Sequence, residues 1–360
     1  MPQPRLKIVV ENDPFLRIVP LVLDPDTDPA RMNAFADFFA HDVPDFRAWC
    51  ENLRARLPKL GGARVVLVDT DADLTVELAE CDVIVTEALT IDQRTLDGAP
   101  NLRAVQKYGT SLRGIDVAAA QARGVAVLTL RRRANIACAE HVLALMLSLA
   151  KRLPELTGRI SEAQLAAVGY PYRPFDRRVT PGSNWARIDG IRLLHDTTLG
   201  VIGMGEIGKE IALRARAFGM TVLYHQRTRL SDDDEQTLGV QYRSLDALLA
   251  QSDWVVPQLP QSPATRHIMN ADNMAKIKPG AVIVNVSRPD VIERDAVIHG
   301  LTTGRIGGFA LDPQYQTPGS DDDILLTMPN VLLTPHIAAQ PRFNAIKDFE
   351  DLFTNLEEEL

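Results

Sequence analysis

Leu199-Gly200-Val201-Ile202-Gly203-Met204-Gly205-Glu206-Ile207-Gly208 reads as a buried strand that runs into Gly-x-Gly-x-x-Gly and on into a helix. A lone glycine triplet of this spacing says little. Here an apolar run precedes it, a helical pattern follows it, and a second strand at Thr221–Tyr224 completes a β-α-β unit. In that setting Gly203 permits the tight turn and Gly205 lets a pyrophosphate approach the backbone. Gly208 lets helix and strand pack closely, and the helix N-terminus favours the negative phosphates. The stretch therefore predicts a dinucleotide site.

Further strands are expected downstream at Asp253–Val256, Ala281–Val286, Gly307–Leu311 and Val331–Leu333, which extends this unit to about Pro335. Upstream, strand patterns at Leu6–Val10, Arg64–Val68, Asp82–Thr86, Leu102–Gln106 and Val125–Leu128 alternate with helical ones at Asp73–Glu80 and Ile91–Leu96. Such alternation means α/β architecture with parallel sheets. Pro14–Pro29 reads as irregular, Ala30–Leu60 as helical in parts, and Tyr170–Trp185 as a loop. Ala134–Leu153 carries apolar residues at helical spacing, and Arg342–Leu360 reads as a final helix.

An acid at the end of the second strand would hold a ribose 2′-hydroxyl. This chain has Gln226-Arg227-Thr228-Arg229 there instead. No carboxylate repels a 2′-phosphate, and two arginines and a threonine can bind one. NADP(H) is the expected cofactor, with NAD(H) as the alternative.

The chain has 360 residues, room for two domains, and carries 46% hydrophobic and 24% charged residues with a net charge of −8. That charge argues against a nucleic-acid partner. Cys50, Cys81 and Cys138 are few and scattered, as in a reducing cytosol, and no metal-site spacing occurs. The apolar run His141–Ala150 is too short to span a membrane, and Met1-Pro2-Gln3-Pro4-Arg5 opens no signal peptide, so a cytoplasmic protein is expected.

Three later segments bear on the reaction: Ser252–Pro260 with Pro263-Ala264-Thr265, Pro279–Arg288, and Pro329–His336. Each is a strand end with a polar or cationic tip. Arg288 supplies a fixed cation and His336 a titratable group, as reduction of a carbonyl beside a carboxylate requires. From Arg64 to Ile346 the chain resembles the D-isomer-specific 2-hydroxyacid dehydrogenase family, which includes glyoxylate/hydroxypyruvate reductases, phosphoglycerate dehydrogenases and formate dehydrogenase.

The resemblance implies a Rossmann dinucleotide-binding domain, about residues 131–336, inserted into a flavodoxin-like substrate domain of residues 1–130 plus 337–360. The long helix after residue 133 would link the domains and help form a homodimer. By position, Arg288 would grip the carboxylate and polarise the keto oxygen, and His336 would donate the proton. Tyr108, Gly109 and Thr110 match the loop that holds the substrate carboxylate. Leu259, Pro260 and Thr265 match cofactor contacts, as do Glu206 and Ile207 at the pyrophosphate. Val286, Ser287 and Asp312 would lie near the nicotinamide and its ribose. The partner implied is a small 2-keto or 2-hydroxy acid.

The chain departs from the family pattern at three places. Thr317 stands where the family carries a catalytic glutamate, so the protonated histidine loses a charged partner. Gln314, Gln316 or the run Asp321-Asp322-Asp323 are the candidates to replace it. Pro289 follows Arg288 where glycine is usual, and Arg131-Arg132-Arg133 replaces a small turn. The arginine run reads either as an exposed basic turn or as a contact for a second anion on the substrate. Two alternatives follow: a formate- or phosphite-type dehydrogenase, in which that position is neutral, and a catalytically silent dinucleotide-binding regulator.

Overall fold

Runs of Val, Ile and Leu that are apolar on both faces suit strands covered by helices on each side. The computed structural model describes residues 5–360; Met1–Pro4, the start of the segment read above as opening no signal peptide, lie outside them. The chain divides into two units, one made of residues up to Ile136 with Ala339–Leu360, the other of Ala137–Ala338.

In the first unit β1 (Lys7–Glu11), β2 (Arg64–Val68), β3 (Val83–Thr86), β4 (Ala104–Lys107) and β5 (Ala126–Leu128) form a parallel sheet in the order β2-β1-β3-β4-β5. That is the flavodoxin-like winding. In the second unit β6 (Thr198–Ile202), β7 (Thr221–His225), β8 (Val240–Tyr242), β9 (Trp254–Pro257), β10 (Ala281–Asn285), β11 (Ile306–Leu311) and β12 (Val331–Leu333) pair in the order β12-β11-β10-β9-β6-β7-β8. This is the Rossmann order with one more strand at the edge, and its direction of winding reverses between β6 and β9. Alternate residues feed the two faces: Leu199 and Val201 enter one core, Ile202 the other, and Val282 and Val284 part likewise from Ile283.

Some elements differ from expectation. The segment read as irregular between Pro14 and Pro29 contains a helix, Ile18–Leu23, in which every residue is buried. Its uniform burial removes the amphipathic period by which a helix is read. Strand β8 is three residues long, too short for a period to show. The run His141–Ala150 belongs to a longer helix, α1 (Arg133–Ala150), which by length and composition alone could cross a membrane. Its Ala139, Val142, Leu143, Met146 and Ala150 sit in the core of the second unit.

Helix α2 (Phe343–Glu359) closes the first unit, burying Ile346, Phe349, Leu352, Phe353 and Leu356 at helical spacing. Phe349 stacks on Tyr108 at 5.5 Å between ring centroids, and the Arg132 guanidinium lies 5.0 Å from the same tyrosine ring. Tyr108 is thus a packed wedge at the end of β4, and Gly109 follows at φ +149°, a conformation that favours glycine. Arg133 gives both its backbone N–H and its Nη1 to Asp348 at 3.0 Å and also meets Asp351 at 2.7 Å, so of the arginine run it serves the fold. Phe349→Ala should destabilise the chain by about 3–5 kcal/mol in urea unfolding. A loss below ~1 kcal/mol would show that the wedge carries little of the packing.

Candidate active site

The crevice of an open α/β sheet lies at the C-terminal ends of the strands where the winding reverses. Here those ends belong to β6 and β9. The three glycines after β6 have separate reasons. Gly203 sits at φ +102°, and a Cβ there would lie 2.2 Å from the Gln258 carbonyl oxygen. A Cβ on Gly208 would lie 2.4 Å from the Gly203 oxygen. Both positions are fixed by backbone approach. A Cβ on Gly205 would meet nothing within 4 Å, its φ is −78°, and it is exposed. The fold does not require a glycine there.

Gly205 caps helix α3 (Glu206–Ala217), whose N-terminus faces that open space. Just past the end of β9, where the Gln258 carbonyl approaches Gly203, the Gln258 Nε2 is buried without a hydrogen-bond partner among the described residues. An unfilled cradle, a helix N-terminus and an orphaned donor together fit a dinucleotide pyrophosphate. Glu206 and Ile207 form the first turn, and Ile207 also packs against the core. The loop after β9 is tied to itself: Thr265 Oγ1 donates to the Pro260 carbonyl at 2.6 Å and accepts from Ser262 N at 3.0 Å, while Leu259 packs on the core.

After β7 the side chains separate by role. Gln226 Oε1 accepts from Met204 N at 3.1 Å, and its Nε2 donates to the Thr228 carbonyl at 2.7 Å, which joins the two loops of the crevice. Arg229 donates to both oxygens of Glu235 at 2.7 Å and to Asp232 at 3.2 Å. The Arg229 guanidinium, then the Tyr224 hydroxyl, hold the Glu235 carboxyl down at about 2. A depressed carboxyl contributes its stability above the ordinary carboxylate range and loses it only as pH falls towards that value. Arg229 therefore stays engaged at any pH near neutrality. Arg227 and Thr228 are exposed.

Three neighbouring strands end in the residues expected to act. Asn285 of β10 pairs with Leu311 of β11, which pairs with Leu333 of β12. Arg288 and His336 each follow three residues beyond their paired strand residue, and Asp312 immediately beyond its own. The Asn285 side chain closes the first turn: its Oδ1 accepts from Ser287 N and Ser287 Oγ, both at 2.9 Å, and its Nδ2 donates to the Arg288 carbonyl at 2.8 Å. Val286 is buried in the core, and Pro289 opens a 3-10 turn, Pro289–Val291. Arg288 is exposed in an extended conformation and gives Nη1 to the Ser287 carbonyl at 2.9 Å.

His336 is exposed and stands at φ +56°, a left-handed conformation costly for a side chain of its kind, by about 1–2 kcal/mol. Asp312, expected near the nicotinamide, is fully buried and faces its own chain. Its carboxylate accepts from Thr334 Oγ1 at 2.6 Å, Ile337 N at 2.8 Å and Ala338 N at 2.9 Å. Its carbonyl accepts from His336 N at 2.9 Å. The strained residue is thereby held from both sides.

Thr317 is exposed, and no hydrogen bond links it to the His336 ring among the described residues. Of the replacements considered, Asp323 is taken by Arg294 at 2.6 Å and Leu325 N at 3.0 Å. Gln314 does come to the turn. Its Nε2 donates to the Asp312 carbonyl at 2.8 Å and to the Thr334 carbonyl, the two oxygens that also accept from His336 N. It steadies the backbone rather than the ring.

His141, on α1, was not marked by any sequence pattern; its Nε2 lies 3.1 Å from Thr334 Oγ1 and 3.5 Å from Asp312 Oδ1. Cys50 and Cys81 are buried and pushed up to about 12 by that burial, and Cys138 is buried in the core, so the cysteines are packing residues.

Gly205→Ala should leave the melting temperature unchanged while weakening dinucleotide binding at least about tenfold, as read by fluorescence titration. Gly208→Ala should lower the melting temperature by several degrees, roughly 4 °C or more. Equal effects of the two on folding would contradict the division of roles.

Comparison with known proteins closes the question of kinship. The D-isomer specific 2-hydroxyacid dehydrogenase NAD binding domain matches residues 143–338, more than half of the chain. A glyoxylate/hydroxypyruvate reductase B of Yersinia pseudotuberculosis is 33% identical over 280 residues, 77% of this chain and 81% of that protein. A solved glyoxylate reductase from Paecilomyes thermophila shares the fold with a TM-score of 0.54 at 23% identity, covering 98% of this chain and 95% of that one. The D-mandelate dehydrogenase of Rhodotorula graminis does so with a TM-score of 0.56 at 22% identity, covering 99% and 94%. A nicotinamide-dinucleotide oxidoreductase, the chain belongs to the D-isomer specific 2-hydroxyacid dehydrogenases.

Proposed function

We propose that this chain is a 2-keto acid reductase that prefers NADPH and runs in reverse as a D-2-hydroxyacid dehydrogenase. The observation that carries it is the register of β10, β11 and β12, which ends in Arg288, the buried Asp312 and a clamped His336. A fixed cation and an exposed imidazole at adjacent strand ends suit a substrate with a carboxylate next to a carbonyl.

A bound nicotinamide dinucleotide supplies the hydride. Gly203, Gly205, Gly208 and the first turn of α3 would hold its pyrophosphate, with Leu259, Pro260 and Thr265 beside it and Val286 and Ser287 towards the nicotinamide. Arg288 grips the substrate carboxylate and polarises the keto oxygen. His336 gives its proton to that oxygen as it becomes a hydroxyl, and takes it back in the reverse direction. The Ser287 carbonyl now bonded to the Arg288 guanidinium orients it until the carboxylate arrives. The first unit is read as the substrate domain, with Gly109 and Thr110 offering the backbone amides for the carboxylate. The Tyr108 N–H is donated to the Thr86 carbonyl at 2.7 Å, and that residue supports the loop instead. The packing of Tyr108 between Phe349 and Arg132 supports that reading, since it fixes the loop.

The preference for NADPH rests on the end of β7. The Gln226 amide stands where an acid would take the ribose hydroxyl, and Arg227 and Thr228 are exposed beside it. Arg229 supports their loop through Glu235. A homodimer is the expected assembly, and Ile160, Val179 and Leu193, exposed at 84%, 78% and 64%, supply apolar surface for it.

With NADPH the protein should reduce one or more of glyoxylate, hydroxypyruvate and bulkier 2-keto acids. Arg288→Ala or His336→Ala should cut turnover at least about a hundredfold. Formate and phosphite belong in the same panel as oxidisable donors. Turnover of either with every keto acid inert would replace this reading, and silence across the panel would favour a non-catalytic role. Arg227→Ala should raise the KM for NADPH by about tenfold or more and leave that for NADH alone. Arg229→Ala should chiefly lower thermal stability. An equal rise for both cofactors in Arg227→Ala would remove the assigned 2′-phosphate contact.

A further inference from the structure

We propose that His141 is a positioning residue for the proton donor: from the core helix α1 it fixes Thr334 and Asp312, and through them the turn that presents His336. The inference rests on the reading of His336 given above, but its structural half stands without it.

The hydrogen-bond directions follow from donor counting. Asp312 Oδ1 accepts from Thr334 Oγ1 at 2.6 Å, so the single hydroxyl proton of Thr334 points at the carboxylate. What Thr334 offers His141, 3.1 Å away, is a lone pair. Nε2 of His141 must therefore carry a proton and donate it, which assigns the tautomer from the network. The same N–H lies 3.5 Å from Asp312 Oδ1 and adds a second donor dipole beside a carboxylate with no exposure to solvent.

The order of contacts runs from helix to turn. His141 is anchored between Ala139 and Val142, both fully buried, and its side chain is 18% exposed. Thr334 is two residues from His336, and its carbonyl accepts from His336 N at 2.9 Å. Asp312 then holds Ile337 and Ala338 on the far side of His336. A partly satisfied buried carboxylate is a poor clamp, because its partners are then free to exchange for water. His141 completes its coordination from the helix side. A histidine on an otherwise apolar face would be unfavourable unless bonded, and here its partner is the base of the active turn.

Two variants separate positioning from packing. His141→Leu keeps the volume and removes the donor. His141→Gln places an amide N–H where Nε2 stood. In His141→Leu, hydrogen exchange at the Ile337 and Ala338 amides should speed up by about tenfold, and kcat for the keto acid should fall by about the same factor, with KM for NADPH unchanged. His141→Gln should recover most of both. Exchange at those amides unchanged in His141→Leu, or a glutamine variant no better than leucine, overturns the inference. If the parent reduces no keto acid, the function proposed above fails, and amide exchange still decides the role of His141.

Discussion

The hydrogen bonds that the Asp312 carboxylate accepts from Ile337 N and Ala338 N are the interaction on which the turn that carries His336 depends. A histidine at φ +56° is unstable by itself, and an exposed loop does not keep such a conformation for free. Asp312 holds it because strand β11 delivers a carboxylate into a dry place where two backbone N–H groups and a hydroxyl converge. Low local dielectric makes those bonds strong and makes their loss expensive. The aspartate thus holds the turn without touching solvent.

The rest of the second unit supplies the same kind of rigidity by backbone approach. Gly203 and Gly208 admit no side chain because carbonyl oxygens occupy the space, while Gly205 leaves a gap that the protein itself does not fill. The parallel sheet sets the ends of β10, β11 and β12 at one level, so that a cation, a buried anion and an imidazole come in sequence across the strands. Within the first unit, the loop after β4 is stiffened by the ring of Tyr108 between an aromatic and a guanidinium.

Much of this was legible in the sequence because it is periodic or compositional. The strand, glycine triplet and helix at Leu199–Gly208 announced the dinucleotide fold, and the alternation of strands and helices announced both parallel sheets. Strand tips marked Arg288 and His336. What escaped notice depends on long-range placement. The helix Ile18–Leu23 is buried all round and has no polar face to betray it. Arg229 is bonded to Glu235, six residues on, a pairing that the run Gln226–Arg229 does not reveal. Asp312 is marked by its strand end, but the bonds of its carboxylate to Thr334, Ile337 and Ala338 join residues more than twenty positions apart, which no spacing rule reveals. His141 is separated from Thr334 by most of the second unit, and no spacing rule joins them. The sequence left open which group replaces the missing glutamate at Thr317; the structure brings Gln314 to the turn, bonded to carbonyls rather than to the imidazole.

The kinetics of Asp312→Asn test most directly the proposed role of Asp312, which is to hold the turn of His336 rather than the cofactor. The amide replaces one acceptor with a donor that faces backbone N–H groups, so the turn should loosen while the glycine loop stays intact. With NADPH and the best keto acid, the account predicts that kcat falls at least about a hundredfold while the NADPH dissociation constant stays near that of the parent. A variant that binds NADPH poorly yet turns over at the parental rate when saturated would place Asp312 in the cofactor site and contradict the account.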